Sequence, residues 1–449
     1  MAASIMSAWT SASDPEGQDM KLTRRLVMKG AAATAASFNV AAAYAGPVPL
    51  SEGEGPEINL AQDEVYWQKI AAQYDVTPNI VNFENGYWGL MARPVMEAFF
   101  RHTERVNREN SSYARQNFYK DLQPIQQRLA AMLGAGDDEI ALTRGATEAL
   151  QALIGGYRLL QPGNAVMYAD LDYDSMQVAM ETLAERHGAS VVRIVIPEPV
   201  THDELVEFYR TALTENPQVR LLLLTHISHR TGLKIPVREI VEMAREHGVD
   251  CVVDAAHSWG QTDFRIDDLG ADFVGFNLHK WMGAPIGAGL MYIRRSRLAD
   301  IAPNISERPD GIGTIHHRLH TGTTNFATLL TINDALDFHE MVGPAHKEAR
   351  LAYLRNLWVS EMRSADRLDI LTPDDPRLHA GITSFRVKRM TSVDANKDIV
   401  RRLSQHGVFT VHRTGVSNGA CVRVTPALYN TPDDCVKLVG ALRQLLMEN

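Results

Sequence analysis

The chain has 449 residues, 45% hydrophobic and 22% charged, which is room for one large domain and a smaller one in an ordinary globular protein. A net charge of −9 argues against a nucleic-acid surface, which needs basic patches, and no apolar run beyond the N-terminal leader is long enough to span a bilayer. Cys251, Cys421 and Cys435, with no CxxC among them, suggest neither a disulfide framework nor a cysteine zinc site, and Cys251 reads as a small core residue.

The N-terminus reads as an address. TRRLVMKG carries the pair Arg24-Arg25, an alanine-rich run follows, and Ala43-Tyr44-Ala45 forms a small-x-small cleavage site before Gly46. Together these predict twin-arginine export, cleavage after Ala45, periplasmic residence and no membrane anchor after processing. The residues before Met20 read as a linker or an upstream extension. That pathway carries folded proteins, which suits a cofactor loaded before export. The expected organisation is a signal peptide over 1–45, an arm and helix over 46–107, a large domain over 108–326, and a linking helix with a small C-terminal domain over 327–449.

From about residue 140 apolar runs alternate with helix-period stretches. EIALT, AVMYAD, VVRIVIP, RLLLLTHI, VDCVVDAA, ADFVGFNL and GAGLMYIR are the strand candidates. Continuous apolar strands separated by helices predict an α/β fold, a mostly parallel sheet covered on both faces. After residue 326 a long helical run leads from ALDFHEM to SEMRSA, and the remainder predicts a small α+β domain.

Ligands of such sheets sit at the carboxyl ends of the strands. Four of those ends carry unusual chemistry. TRGATEAL places Gly145, Ala146 and Thr147 at a helix start, where free N–H groups and a hydroxyl suit a phosphate, although an ordinary helix cap reads similarly. YADLDYDSM presents Tyr173, an aromatic face for a planar ligand or a piece of core. VVDAAHSWG ends a buried strand with Asp254 and His257, and a buried carboxylate needs a partner. GFNLHKWMGAP sets His279 and Lys280 just past a buried run, where a lysine is ordinarily a solvated tip. One cofactor accounts for the set. Pyridoxal phosphate needs a phosphate cradle, an aromatic stack, a carboxylate at its pyridine nitrogen and a Schiff-base lysine.

From about Val81 to its end the sequence resembles fold-type I pyridoxal-phosphate enzymes of the class V aminotransferase family, and within it the isopenicillin N epimerase-like branch. The resemblance rests on FENGYWGLMARPVMEAF, TRGATEAL, THISHRTGLKIPV, DAAHSWGQ, HKWMGAP and RVTPALYNT. It implies that Ala146, Thr147, Asn277 and His279 bind the phosphate, that Tyr173 stacks on the ring, and that Asp254 pairs with the ring nitrogen. It places His257 near the ring oxygen and makes Lys280 the covalent link. Ser228 or His229 falls where relatives use asparagine. Thr323, in HTGTTN, matches a threonine that reaches a partner subunit's phosphate, which implies a homodimer with a composite site. Arg423, in CVRVTPALYN, matches the arginine that grips the substrate α-carboxylate, with Arg413 a second anion-binding candidate.

Cysteine desulfurases of this family carry a catalytic cysteine on a loop before that arginine; here the loop reads RTGVSNG. His316, His317 and His320 read as a polar loop rather than a metal site, and no GxxxxGK[ST] supports a phosphotransferase. The expected function is an aminotransferase-like reaction at the amino group or α-carbon of an amino acid, free or peptide-borne, with Lys280, Asp254 and Tyr173 as catalytic residues. Exported members of the branch include a pyoverdine-maturation enzyme, so tailoring of a secreted metabolite such as a siderophore is the expected setting by analogy. Epimerisation is the alternative and needs a second acid across the ring. A binding protein that kept the fold is a further alternative, and such a protein would usually lose Lys280 or Asp254.

Overall fold

The computed structural model describes residues 60–308 and 313–448; the export leader expected over 1–45 lies outside the described residues. The seven strand candidates all enter one sheet. They are β1 (Ile140–Thr143), β2 (Ala165–Ala169), β3 (Ser190–Ile194), β4 (Val219–Thr225), β5 (Asp250–Asp254), β6 (Phe273–Asn277) and β7 (Gly289–Ile293), in the order β1-β7-β6-β5-β4-β2-β3. Only β7 runs antiparallel to its neighbours. Strands β4 to β6 have helices over both faces, so runs such as Leu221 to Leu224 are apolar without alternation and fully buried. Strand β3 lies at the edge and is half-exposed, which is why Arg193 is tolerated within its apolar run.

The helical run expected after residue 326 is two helices, Phe326–Val342 and Pro344–Met362. Gly343 leaves helical geometry at φ 87°, and Pro344 starts the next helix, where its missing N–H has no intrahelical partner to lose. The second helix lies on a four-stranded antiparallel sheet of β8 (Leu368–Ile370), β9 (Thr383–Val387), β10 (Val411–Arg413) and β11 (Cys421–Val424), in the order β10-β11-β9-β8. Trp358, Phe385, Val422 and Leu438 form the centre of that core.

Phe83 is buried in the same core, and Val81–Asn82 pairs in parallel with Val408–Phe409. The segment grouped by sequence with the N-terminal arm thus joins the C-terminal layer. Phe83 turns into that core, and a bridge between Glu84 and Thr425 sets the arm beside β11. Among the described residues no helix is long and apolar enough to cross a membrane.

Candidate active site

A cavity of about 580 Å³ opens at the carboxyl ends of β1, β4, β5 and β6. Sheet register levels those ends, pairing Thr225 with Asp254 and Asn277 with Gly289. Ala146, Thr147, Tyr173, Asp254, His257, Asn277, His279, Lys280, Arg413 and Arg423 all line the cavity. Thr323 does not; it is exposed on the loop before the helix Phe326–Val342.

At one corner the helix Ala146–Gly156 begins without a side-chain cap. Ala146 N–H donates to Asn277 Oδ1 at 2.8 Å, which ties the helix start to β6. The N–H groups of the following residues in that first turn have no i−4 carbonyl to meet, so the corner offers donors and the positive helix end to an anion. His279 Nδ1 is 2.8 Å from the Ala288 carbonyl, so Nδ1 carries the proton, and burial keeps the ring neutral by lowering its pKa.

At the centre, Asp254 is buried, and among the described residues the only hydrogen bond to its carboxylate comes from Ala256 N–H at 2.9 Å. Burial raises its pKa, while that N–H and the Lys280 charge oppose the rise. A carboxylate kept so lightly satisfied has capacity left for a cationic N–H. Lys280 is pushed down to about 7 chiefly by burial, with Asp254 pulling up and Arg423 and Arg413 pulling down. Its Nζ stands 2.9 Å from His257 Nε2. The indole N–H of Trp281 donates to His257 Nδ1 at 3.3 Å, so the neutral imidazole has its hydrogen on Nε2, facing the lysine nitrogen. The structure therefore pairs His257 with Lys280. Gly89 N–H donates to the His279 carbonyl at 2.9 Å, and a Cβ on Gly89 would lie 1.9 Å from the Lys280 carbonyl oxygen, so only glycine allows this approach.

Tyr173, 37% exposed, stands on the cavity wall in edge contact with His229, ring centroids 5.3 Å apart. Burial holds His229 well below its usual range, as a neutral ring. The preceding Asp172 is buried and accepts N–H groups from Ala169 at 2.7 Å and Thr225 at 3.0 Å, which ties the Tyr173 turn to β4. Ser228 makes no part of the cavity wall. Its hydroxyl accepts from Arg230 N–H at 3.2 Å and donates to the Leu171 carbonyl, a turn-forming role.

Arg423 is not an exposed strand arginine. It is 0% exposed, and Nη2 donates to both carboxylate oxygens of Glu84 at 2.7 and 2.8 Å. Glu84, Trp281 and Thr225 are functional neighbours that sequence patterning does not reveal. Nothing in their local sequence marks them; the fold brings Thr225 to the cavity wall, Glu84 against Arg423 and Trp281 against His257.

Cys421 is buried in β11, and burial raises its thiol to about 11, far from a nucleophilic thiolate.

The residues fit pyridoxal phosphate on three structural grounds. The uncapped helix start suits the phosphate, the under-satisfied Asp254 suits a protonated ring nitrogen, and the buried amine of Lys280 suits a covalent link. The family model for aminotransferase class-V matches residues 93–438. The chain is 25% identical over 399 residues to isopenicillin N epimerase of Streptomyces clavuligerus, covering 85% of this chain and 99% of that one. Among solved structures, the cysteine desulfurase of Escherichia coli superposes with a TM-score of 0.71 at 21% identity, over 85% of this chain and 98% of the other. A C-DES mutant with glycine covalently linked to its PLP cofactor does so with a TM-score of 0.70 at 21% identity, over 83% and 98%. The chain belongs to the class V aminotransferase family, as a pyridoxal-phosphate-dependent enzyme of fold type I.

Proposed function

We propose that this enzyme acts at the amino group or α-carbon of an amino acid, free or carried on a peptide, with an aminotransferase-like outcome. One observation carries the reading: the Lys280 amine, held at about 7, lies 2.9 Å from His257 Nε2 within a cavity that Asp254 also lines. Bound pyridoxal phosphate supplies an electron-poor ring that takes up the electron pair of a bond broken at the α-carbon. Lys280 holds the cofactor covalently and, once released as a neutral amine, moves the proton at the α-carbon. Asp254 keeps the ring nitrogen protonated. The helix start at Ala146 and Thr147, with Asn277 and His279, holds the phosphate, and Tyr173 covers the ring face. His257 donates its Nε2 hydrogen toward the Lys280 nitrogen and so holds that nitrogen in place.

Epimerisation is the second reading. It is favoured by Tyr173, whose phenol-bearing ring stands on the cavity wall in edge contact with His229. A single turnover in deuterated water without an oxo-acid acceptor separates the two. Transamination releases about one equivalent of oxo acid per subunit and stops. Continued deuterium uptake at an inverted α-carbon, without oxo acid, would overturn the aminotransferase reading.

The setting is proposed on sequence grounds. The Arg24-Arg25 leader supports periplasmic residence and work on a secreted metabolite such as a siderophore. An unchanged periplasmic yield after Arg24→Lys with Arg25→Lys would remove that support. Exposed Thr323 supports a homodimer in which each subunit completes the other's phosphate site.

A further inference from the structure

Two buried rings stand in line behind the Lys280 nitrogen. Lys280 Nζ lies 2.9 Å from His257 Nε2, and the indole N–H of Trp281 reaches His257 Nδ1 at 3.3 Å. His257 and Trp281 are 4% and 6% exposed. Trp281 is not part of the cavity wall, so it meets the imidazole from behind. The backbone of each ring is held in turn. Gln261 Nε2 donates to the His257 carbonyl, while Gln261 Oε1 accepts from Gly381 N–H at 2.8 Å. Lys347 donates to the Trp281 carbonyl, and a Cβ at Gly260 would lie 2.8 Å from the Met282 nitrogen, so the two segments touch.

An indole nitrogen can only donate, so His257 Nδ1 accepts and the one ring hydrogen sits on Nε2. Burial keeps that ring neutral, and Lys280, Arg423, His229 and Arg413 press the same way. A donor facing the lysine nitrogen meets a lone pair when the amine is neutral and another hydrogen when it is an ammonium. Charging Lys280 would force His257 to move its hydrogen to Nδ1, against the indole hydrogen. We propose that Trp281 is a positioning residue that locks the tautomer of His257 and so holds Lys280 Nζ as a lone-pair acceptor, the form that attacks a carbonyl carbon or takes up a proton. The inference rests on the reading of Lys280 as the covalent link and adds to it a residue outside the cavity wall. The lock acts beside burial, which already pushes Lys280 down to about 7, with Asp254 and Glu84 pulling up and Arg423 and Arg413 pulling down.

The test reads the ring hydrogen and the amine separately, in the enzyme freed of cofactor. In the parent, the side-chain nitrogen chemical shifts of His257 should place the hydrogen on Nε2; a hydrogen on Nδ1 overturns the proposal. Competitive acetylation with acetic anhydride, mapped to the Lys280 peptide across pH, follows the amine. Trp281→Phe keeps an aromatic ring and removes the N–H, so His257 can offer a lone pair at Nε2 to an ammonium. The Lys280 midpoint should then rise by about one pH unit, the weight of about one hydrogen bond. A loosened core that admits water would raise it too, and a double variant with His257→Phe separates the causes. If Trp281 acts through the imidazole, Trp281→Phe adds no shift once the imidazole is gone. An equal rise with and without His257, or no rise with it, overturns the proposal. The tautomer measurement needs no variant and keeps the proposal refutable if a substitution folds poorly. Failure of the broader reading would show differently, as no borohydride-fixed cofactor on Lys280 while the tautomer and acetylation results stand.

Discussion

Two buried lysines flank the chain segment at the end of β6, and they have the same depressed basicity for different purposes. Lys280 faces the cavity, and Lys347 lies behind it on the helix Pro344–Met362; burial pushes each amine down to about 7. Lys280 has Asp254 and the His257 imidazole beside about 580 Å³ of open space. Lys347 donates to the Trp281 carbonyl and lies 3.5 Å from His339 Nδ1, with about 40 Å³ beside it, room for a water and no substrate. A shifted amine is therefore no mark of chemistry by itself; space for a reactant and a carboxylate across it make the difference. Lys347 instead grips the carbonyl of the residue that follows Lys280, which makes it a positioning residue for the loop.

The largest effect that can break this comparison comes from exchanging the two lysines' fates. Lys280→Ala is expected to abolish the borohydride-fixed pyridoxyl label and to lower turnover by about 10³-fold or more. Lys347→Met should keep the label, found by peptide mapping on Lys280. A label on Lys347 in the parent protein would reverse the assignment.

What sequence made legible follows the same division. The strands of the large sheet were readable because burial on both faces forces continuous apolar runs, as in Leu221 to Leu224. The cavity residues were readable because polar groups at the ends of such runs are costly unless used. Edges were less readable: the VVRIVIP run becomes the half-exposed strand β3. Pairings distant in sequence were not legible at all. Glu84 and Arg423 stand 339 positions apart; the family motif marks Arg423, but nothing in either segment marks the two as partners. Lys347 reads as a solvated face of a helix, since a lysine near a helix start carries no sign of being buried. The break at Gly343-Pro344 was present in the letters, but the apolar period on either side masked it. The export motif and Thr323 have a different status, one outside the described residues and the other exposed and not part of this chain's own cavity wall.

A smaller effect sharpens the role given to Lys347. If it positions the loop, Lys347→Met leaves a buried carbonyl on Trp281 without its donor. The Lys280 nitrogen should then sit less firmly against His257, and kcat should fall about tenfold with KM little changed. A change confined to KM would place Lys347 on the substrate path instead. A protein with reduced stability and unchanged kcat would make it a packing residue only.

The smallest effect is a slope of stability against pH, and it separates the two amines without reference to turnover. An amine at about 7 in the fold and near 10.5 unfolded binds fewer protons folded than unfolded across the interval between. Unfolding then takes up protons, so stability rises with pH there, by on the order of 1 kcal/mol per pH unit for each amine. Asp172, raised to about 7 by burial, acts with opposite sign, but its window lies between its unfolded value of 3.8 and about 7. The buried thiols, all raised, oppose the rise only above about pH 9. The clean interval is therefore pH 7.5 to 8.5, near the midpoint of those limits (about 8). In the apoenzyme both lysines contribute, and the unfolding midpoint in urea should climb across that interval. Attaching the cofactor removes the free amine of Lys280 and should cut the climb by about half. Lys347→Met should cut it by the other half, so the holo form of that variant should be nearly flat. An apoenzyme slope untouched by Lys347→Met would show that Lys347 is charged in the fold, and the likeness between the two lysines would end there.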